Sequence, residues 1–243
     1  MKCIILCAGY ATRLYPLTLD KPKALLPINN VPLLNYIIER LKDIKEIDEI
    51  LVVTNSKFYF HFVWWLEHLN LGDEIKNKIE IINDGTNEET GRLEGIGDLN
   101  FVMRSKNIKD DVFVILGDNY FNFNLSGFVD FYKEKGETCI GVYDIKNREN
   151  AKRFGILELG DGGEIISFEE KPKNPKTTLA SVGLYIFSKA DLRYVEEYIK
   201  AGYGKRGIGF LVKYLVEMKK VHPYKFEGWW FDIGSKEEYE ELK

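Results

Sequence analysis

The sequence predicts an α/β fold, a three-layer α/β/α sandwich built on a mainly parallel, mixed sheet. Short apolar runs rich in β-branched residues alternate with helical patterns through the first half of the chain. Several of these runs lack polar alternation, which is typical of strands covered on both faces. Strand–helix–strand alternation favours a parallel sheet with helices packed against it.

The first half supplies the predicted parallel strands and two helices between them. The predicted strands are Cys3–Cys7, Ile50–Thr54, Ile79–Ile82, Val112–Leu116 and Cys139–Tyr143. One helix is predicted over Pro32–Ile44, with Pro32 at its first position. A second is predicted over Ser56–Leu71, with Ser56 as its cap and Gly72 after its end.

The second half is predicted to complete the sheet and the far wall of a cleft. A hairpin is expected from Phe154–Leu159 and Ile165–Glu169 around an Asp-Gly-Gly turn. The later predicted elements are a strand at Leu184–Phe187, helices at Lys189–Lys200 and Ile208–Lys220, a strand at Tyr224–Asp232 and a last helix. Ser235 and Glu238 form a capping-box pattern for that helix. Since no linker or repeat interrupts the pattern, residues 1–243 are expected to form a single domain.

Composition excludes several classes of protein. The chain has 243 residues, is 45% hydrophobic and 14% aromatic, and carries a net charge of −4. This apolar content argues against extended disorder. The negative balance argues against a general nucleic-acid binder. No run approaches the ~18 apolar residues of a membrane span, and the apolar start is too short for a signal peptide, so a cytoplasmic protein without membrane or nucleic-acid partners is expected.

A loop of small residues with nearby cations is the most informative motif. It runs from Leu6 to Leu14 and continues through Lys21–Pro27. Small residues let backbone N–H groups approach a phosphate closely, and ligands of open α/β sheets bind beyond the carboxyl ends of strands. Up to residue 38 the charged side chains are Lys2, Arg13, Lys21 and Lys23 against Asp20. The motif therefore predicts an anion site, whereas a tight turn with solvated cations is the alternative.

The same residues resemble the signature of a known family. Gly9-x-x-Thr12-Arg13-Leu14-x-Pro16-Leu17-Thr18, followed by Lys21-Pro22-Lys23-x-Leu25-x-Pro27, is similar to that of sugar-1-phosphate nucleotidyltransferases. The resemblance implies a Rossmann-like, glycosyltransferase-A-like nucleotidyltransferase fold. It implies nucleotide contacts from Leu6, Ala8, Gly9, Tyr10, Ala11, Thr12, Arg13, Lys23, Asn83 and Asp118. Ala11 departs from the family, where a second glycine is common, and alanine tolerates a positive φ less well.

Two distant carboxylates are candidate metal ligands. Asp118 follows the apolar run Val112–Leu116, and Asp232 lies in an aromatic stretch before Gly234. Mg²⁺ typically takes one or two protein carboxylates together with substrate phosphate oxygens. The family resemblance implies that both acids share one catalytic Mg²⁺, whereas each alone is also a common turn or cap residue.

The segment after Ser167 carries the candidate sugar-phosphate contacts. Phe168-Glu169-Glu170-Lys171-Pro172 resembles a family motif in which the carboxylate of Glu170 accepts bonds from sugar hydroxyls and Lys171 binds the sugar phosphate. A solvated pair of charges at a strand end is the alternative. The resemblance also implies sugar-side contacts from Asn119, Gly155 and Ser181.

The sequence leaves alternatives for the residue that contacts the base and for the role of the aromatic helix. Asn83 occupies the position from which the family reads a pyrimidine edge, although a turn role is equally compatible. Residues 86–97 depart from the family pattern. The run from Phe58 to Trp65 is apolar nearly all round, which predicts a buried helix, and an interface in a homo-oligomer is the alternative.

These features together predict an enzyme. We expect a sugar 1-phosphate, first of all glucose-1-phosphate, to attack the α-phosphorus of dTTP or UTP with release of pyrophosphate. Arg13 and Lys23 would neutralise phosphate charge, and Mg²⁺ would be the cofactor. The alternatives are a cytidylyltransferase acting on phosphocholine or another alcohol phosphate, and an inactive sensor or scaffold subunit on the same fold.

Overall fold

A computed structural model describes residues 1–204 and 206–242. The strands are β1 (Lys2–Leu6), β2 (Pro27–Ile28), β3 (Val31–Pro32), β4 (Glu49–Thr54), β5 (Ile79–Asn83), β6 (Val112–Leu116), β7 (Asn119–Phe121), β8 (Cys139–Asp144), β9 (Gly155–Leu159), β10 (Ile165–Glu170), β11 (Leu179–Phe187), β12 (His222–Lys225) and β13 (Trp230–Asp232). The helices are α1 (Leu33–Leu41), α2 (Tyr59–Glu67), α3 (Asp73–Lys76), α4 (Glu94–Ser105), α5 (Leu125–Lys135), α6 (Arg148–Ala151), α7 (Arg193–Lys200), α8 (Ile208–Met218) and α9 (Lys236–Glu240).

The main sheet is mixed with a parallel centre. Its strand order is β10-β9-β11-β6-β1-β4-β5, and β8 pairs with β11 and β12. Strands β6, β1, β4 and β5 run parallel, whereas β11 is antiparallel to β6. Because the chain continues from β1 to β4 on one side and later adds β6 on the other, the end of β1 is a switch point where a crevice opens.

Two apolar cores cover the two faces of this sheet. Cys3 and Ile5 of β1 pack in a cluster with α1, α2 and α5. Ile4, whose side chain points to the opposite face, packs in a second cluster with α4, α7 and α8. This alternation follows from the two-residue period of a strand. The predicted three-layer α/β/α sandwich is confirmed.

A small antiparallel ribbon joins the end of the chain to the region beyond β6. Strand β13 pairs with β7, and the register places Asp232 opposite Asn119. The predicted strand at Tyr224–Asp232 is therefore wrong as one element. Gly228, with a φ of 118°, lies between β12, which belongs to the main sheet, and β13 in the ribbon.

Several predicted helix boundaries are also corrected. Pro32 belongs to β3, and α1 begins one residue later. The helix predicted from Ser56 begins at Tyr59, and the side chain of Asn55, not Ser56, accepts a bond from the backbone N–H of Phe58 at 3.0 Å. The hydroxyl of Ser56 instead donates to the Oδ1 of Asn83.

The aromatic helix α2 is only partly buried. Phe62 and Trp65 lie in the core, as predicted. Phe60 and Trp64 are 77% and 62% exposed, so the prediction of an all-round buried helix is wrong for this face. Among residues 1–204 and 206–242, none of the helices combines the length and the apolar character that crossing a membrane requires.

Candidate active site

A cavity of about 500 Å³ opens where β1 and β6 end. It brings together most of the residues that the motifs single out. The predicted site residues that line it are Leu6, Ala8, Gly9, Tyr10, Ala11, Thr12, Arg13, Lys23, Asp118, Glu170 and Lys171. The loop after β1, the end of β6 and the end of β10 thus share one concave surface.

The loop after β1, whose residues line the cavity, is held by side chains from outside it. Buried Asn55 donates from its Nδ2 to the carbonyl of Ala8 at 2.9 Å. The hydroxyl of Thr18 donates to the carbonyl of Ala11 at 2.8 Å. Ala11 has a φ of 48°, in the left-handed region where glycine is favoured. The alanine at this family-divergent position therefore adopts a glycine-type backbone conformation.

Asp118 forms an ion pair with Lys23, a residue of the first motif. The Nζ of Lys23 lies 2.9 Å from the Oδ2 of Asp118, and the lysine side chain is only 14% exposed. The carbonyl of Asp118 accepts a bond from the backbone N–H of Ile233 at 3.3 Å. This bond and the β7–β13 pairing bring the segment that carries Asp232 alongside Asp118.

Asp232 does not line this cavity but a second one, together with Arg153 and Glu238. Burial raises the pKa of Asp232, and the negative charge of Asp118 raises it further, while Lys23 opposes the shift. Two carboxylates held so close repel each other unless a positive charge lies between or beside them. Their hard oxygen donors suit a divalent ion such as Mg²⁺. Within the described residues, no group of three or more His, Cys, Asp and Glu is arranged to hold a metal ion.

Glu238 fixes the loop that follows Asp232. Its Oε2 accepts bonds from the backbone N–H groups of Gly234 at 2.8 Å and Ser235 at 2.9 Å, completing the predicted capping box. Its Oε1 pairs with Arg153. Burial opposes ionisation of Glu238, but the bonds from Arg153 and Gly234 outweigh it and lower its pKa. The loop carrying Asp232 is therefore tied to the segment that precedes β9.

Asn119 is placed behind the acids, outside the cavity lining. Its side-chain Nδ2 donates to the carbonyl of Leu116 at 2.9 Å, and its Oδ1 accepts from the indole of Trp230 at 2.7 Å. Gly183, with a φ of 70°, leaves room for it, since a Cβ there would lie 2.8 Å from Nδ2. The Nδ2 of Asn119 also donates to the Oδ1 of Asp118 at 3.3 Å, which suits Asn119 to orienting that carboxylate. The predicted contact of Asn119 with the sugar phosphate stays a prediction.

Glu170 and Lys171 form the opposite wall of the cavity. The Oε2 of Glu170 would contact a Cβ at either Gly155 or Gly209, so both glycines are needed for its close approach. Burial raises the pKa of Glu170, and the charge of Lys171 lowers it. Lys171 has a φ of 50°, and its backbone N–H donates to the carbonyl of Phe154 at 3.0 Å. Gly155 thus shapes this wall from behind.

Two predicted contact residues use their side chains elsewhere. The Oδ1 of Asn83 accepts from Ser56 at 3.0 Å and from the backbone N–H of Gly85 at 2.9 Å, outside the cavity lining. These bonds favour the turn interpretation over base reading. The buried hydroxyl of Ser181 donates to the phenol of Tyr185 at 3.2 Å, where β11 has an irregular register.

The segment after β5 contributes residues that the motifs did not single out. Buried Asp84 accepts bonds from the backbone and hydroxyl of Thr86 at 2.7 and 2.8 Å. It also contacts the carboxyl of Asp98, which lines the cavity. Burial raises the pKa of Asp84, while bonds from Thr86 and Asp98 oppose the shift. This network extends to the glycine-bearing loop, because Tyr10 donates to the hydroxyl of Thr86 at 3.4 Å.

Other lining residues come from α4, α8 and the turn before α4. They are Glu89, Arg92, Glu94, Gly95, Asp98, Gly207, Ile208 and Phe210. Gly95 packs on Ile208, where a Cβ would lie 3.2 Å from Cγ1. The spacing of the apolar residues Ile96 and Leu99 is the sequence feature that could have predicted α4. It does not show that the N-terminal end of the helix faces the cavity.

Comparison with known proteins identifies extensive similarity. A family model described as nucleotidyl transferase matches residues 2–243. The chain is 33% identical over 237 residues to the bifunctional protein GlmU of Methanocaldococcus jannaschii, covering 96% of this chain and 51% of that protein. It is 34% identical over 245 residues to a Sulfolobus acidocaldarius protein provisionally assigned as mannose-1-phosphate guanyltransferase, covering 98% and 61%.

Solved structures extend the similarity to the whole described fold. A provisional glucose-1-phosphate thymidylyltransferase from Bacillus anthracis, solved in complex with a sucrose, superposes with a TM-score of 0.84. It is 25% identical, and the match covers 100% of this chain and 93% of that one. The chain spans between one half and two thirds of the length of the two curated relatives.

Proposed function

The chain belongs to the nucleotidyl transferase family, and on that premise we propose that it joins a sugar 1-phosphate to the nucleotidyl group of an NTP. An oxygen of the sugar phosphate attacks the α-phosphorus, and the bond from that phosphorus to the bridging oxygen of the β-phosphate breaks. The products are an NDP-sugar and pyrophosphate. Residues 1–243 are proposed to act as one catalytic domain.

The observation that supports this proposal most directly is the charge arrangement of one cavity. Arg13 and Lys23 face it from the loop after β1 and the following turn, and Lys171 faces it from the end of β10. Two anions must meet for this reaction, so positioning and neutralisation of charge are the main tasks of the protein. Arg13 and Lys23 are proposed to bind the NTP phosphates, with Arg13 stabilising the charge that develops on pyrophosphate.

Asp118 and Asp232 are proposed to hold a divalent cation, Mg²⁺ in the first place. Such an ion neutralises phosphate charge and polarises the α-phosphorus when bound. The protein supplies two carboxylates, one in β13 and one directly before β7, on segments that the β7–β13 pairing holds together. Lys23 adds a further positive charge at Asp118, which limits the repulsion between the two acids.

The wall formed by Glu170 and Lys171 is proposed to receive the sugar phosphate. Glu170 offers a carboxylate that accepts bonds from sugar hydroxyls, and Lys171 offers an ammonium to the phosphate. A phosphate monoester is already largely ionised near pH 7, so the nucleophile needs no general base. The proposed roles of Gly155, Asn119 and Ser181 on this side are to shape the wall and hold its strands.

The base and the sugar are proposed as dTTP or UTP with glucose-1-phosphate. The thymidylyltransferase-type structural neighbour supports this choice. The guanyltransferase-type relative makes GTP with mannose-1-phosphate the combination to compare first. A cytidylyltransferase acting on phosphocholine is the second candidate function within the enzyme class.

A pyrophosphate-release screen tests these proposals directly. Each of dTTP, UTP, CTP and GTP is combined with glucose-1-phosphate, mannose-1-phosphate, N-acetylglucosamine-1-phosphate and phosphocholine in the presence of Mg²⁺. We expect release with at least one hexose phosphate and fastest turnover with dTTP or UTP. Turnover with phosphocholine and CTP alone would replace the sugar substrate. Absence of release in every combination would favour the inactive scaffold.

A further inference from the structure

A cluster of three charged side chains stands at the rim of the cavity beside the glycine-bearing loop. The Oε1 of Glu89 accepts from the hydroxyl of Thr12 at 3.3 Å and from the Nη1 of Arg92 at 3.1 Å. The Nη2 of Arg92 donates to the Oε1 of Glu94 at 3.2 Å. All four residues line the cavity.

One carboxylate oxygen thus lies between a hydroxyl donor and a guanidinium, next to the proposed phosphate loop. A phosphate oxygen accepts from the same two kinds of donor. We propose that Thr12 and Arg92 form a subsite for a phosphate of the bound nucleotide, and that the carboxylate of Glu89 occupies this subsite until the nucleotide arrives. This inference rests on the proposed function and assigns a role to the segment after β5.

The exposure of the cluster favours an exchange of partners. Arg92 and Glu89 have side chains that are 44% and 45% exposed. Ion pairs this open to water contribute little net free energy, so little opposes their separation. An incoming polyphosphate brings several negative charges to a loop that already carries Arg13. It therefore attracts Arg92 and repels Glu89.

Glu94 and the local backbone keep Arg92 near the cavity during this exchange. Glu89–Gly91 form a short 3-10 turn, and the backbone N–H of Arg92 donates to the carbonyl of Glu89 at 3.3 Å. Helix α4 begins two residues after Arg92, and its Ile96 N–H bonds to the carbonyl of Arg206 at 2.9 Å. Arg92 is therefore anchored on both sides, whereas the side chain of Glu89 is bonded to Thr12 and Arg92 and is 45% exposed.

The test measures binding of inorganic pyrophosphate with Mg²⁺ by titration calorimetry, which avoids any assumption about base or sugar. Arg92→Ala should weaken binding about tenfold or more, the effect of losing one charge-assisted hydrogen bond. Glu89→Gln should strengthen binding severalfold, because it removes a competing charge from the subsite. Arg92→Lys should restore part of the loss. Arg148→Ala is the matched control, since this exposed arginine contacts the carbonyl of Lys176 on another surface.

The opposite signs of the two effects separate this inference from a merely structural role. Weaker binding in Glu89→Gln, or unchanged binding in Arg92→Ala, would overturn it while the proposed function stands. If the wild-type protein binds no pyrophosphate, the inference is overturned, and the pyrophosphate-release screen decides separately whether the proposed function stands. Should Arg92→Ala unfold, which circular dichroism would show, the exposed and nearly isosteric Glu89→Gln still decides the sign.

Discussion

The two acidic regions of the candidate active site, Asp118 with Asp232 and Glu89 with Arg92, differ in how their charges are held. Asp232 is held by the β13–β7 pairing, and the carbonyl of Asp118 accepts a bond from Ile233. Lys23 contacts Asp118 from a largely buried position. Glu89 and Arg92, at the other region, stand on a short turn and are nearly half exposed. The first region suits charges that must keep their separation, and the second suits charges that change partners.

The largest expected effect tests the region of Asp118 and Asp232, which we call the fixed region. Asp118→Asn keeps the shape of the side chain but removes the charge that Lys23 and the proposed cation share. We expect the rate of pyrophosphate release to fall about a hundredfold or more, as for other electrostatic catalytic groups. Asp130→Asn is the control, because that carboxylate is 71% exposed on α5. Unchanged turnover would remove Asp118 from the site.

Lys171→Ala tests whether the two substrates bind to separate walls of the cavity. Loss of one charge-assisted contact should raise the KM for the sugar phosphate about tenfold or more. The KM for the NTP should change much less, because Arg13 and Lys23 remain. Steady-state kinetics with each substrate varied in turn measures both constants. Equal increases in both would contradict the assignment of Lys171 to the sugar side.

Glu238 shows how the fixed region depends on residues that touch no substrate. Glu238→Ala removes the acceptor that Glu238 contributes to the capping box of α9, and it removes the partner of Arg153. We expect the free energy of unfolding to fall by about 1–2 kcal/mol and the affinity for Mg²⁺ to fall about tenfold. Denaturant unfolding and calorimetry measure the two effects. Glu238→Gln keeps the capping geometry and should lie between the wild type and Glu238→Ala; Mg²⁺ affinity unchanged in both variants would contradict this positioning role.

The sequence predicted the fixed region better than the region of Glu89 and Arg92, which we call the exchangeable region. Strand patterns located β1 and β6, and the family motifs connected Asp118 with Asp232, because these features are local or carried by characteristic residues. Helix α4 was not predicted, since its two early glycines lower helix propensity and obscure its apolar spacing.

The contacts of the exchangeable region depend on a turn that no motif described. Glu89 reaches Thr12 across 77 residues of sequence, and neither residue type indicates the other as its partner. Asn119 and Ser181 illustrate the same limit. The family resemblance implied substrate contacts for both, but Trp230 and Tyr185 form hydrogen bonds with these side chains inside the fold. Only the packed strands show which polar groups are already in use.

A variant of Asp84 tests the contact between the two buried acids Asp84 and Asp98. Since burial raises the pKa of Asp84, the folded state retains a proton that the unfolded chain releases as pH rises. Stability from this group is therefore present at acidic pH and lost as pH rises through its folded pKa. Asp84→Asn should remove this loss and stabilise the protein at pH 7, with little change at pH 4. Denaturant unfolding at both pH values measures the effect, and equal effects at the two would contradict a raised pKa of Asp84 in the folded state.

Ala11→Gly gives the smallest expected effect and tests the loop that both regions share. An L-residue in the left-handed region costs roughly 1–2 kcal/mol, and glycine relieves this cost but adds entropy to the unfolded chain. The net gain in the free energy of unfolding should therefore be below about 1 kcal/mol. Ala8→Gly is the matched control, because the structure gives Ala8 no positive φ, so glycine there should only destabilise. If both variants lose stability equally, the backbone of Ala11 carries no such cost, and the alanine at this position is as well accommodated as the glycine that is common in the family.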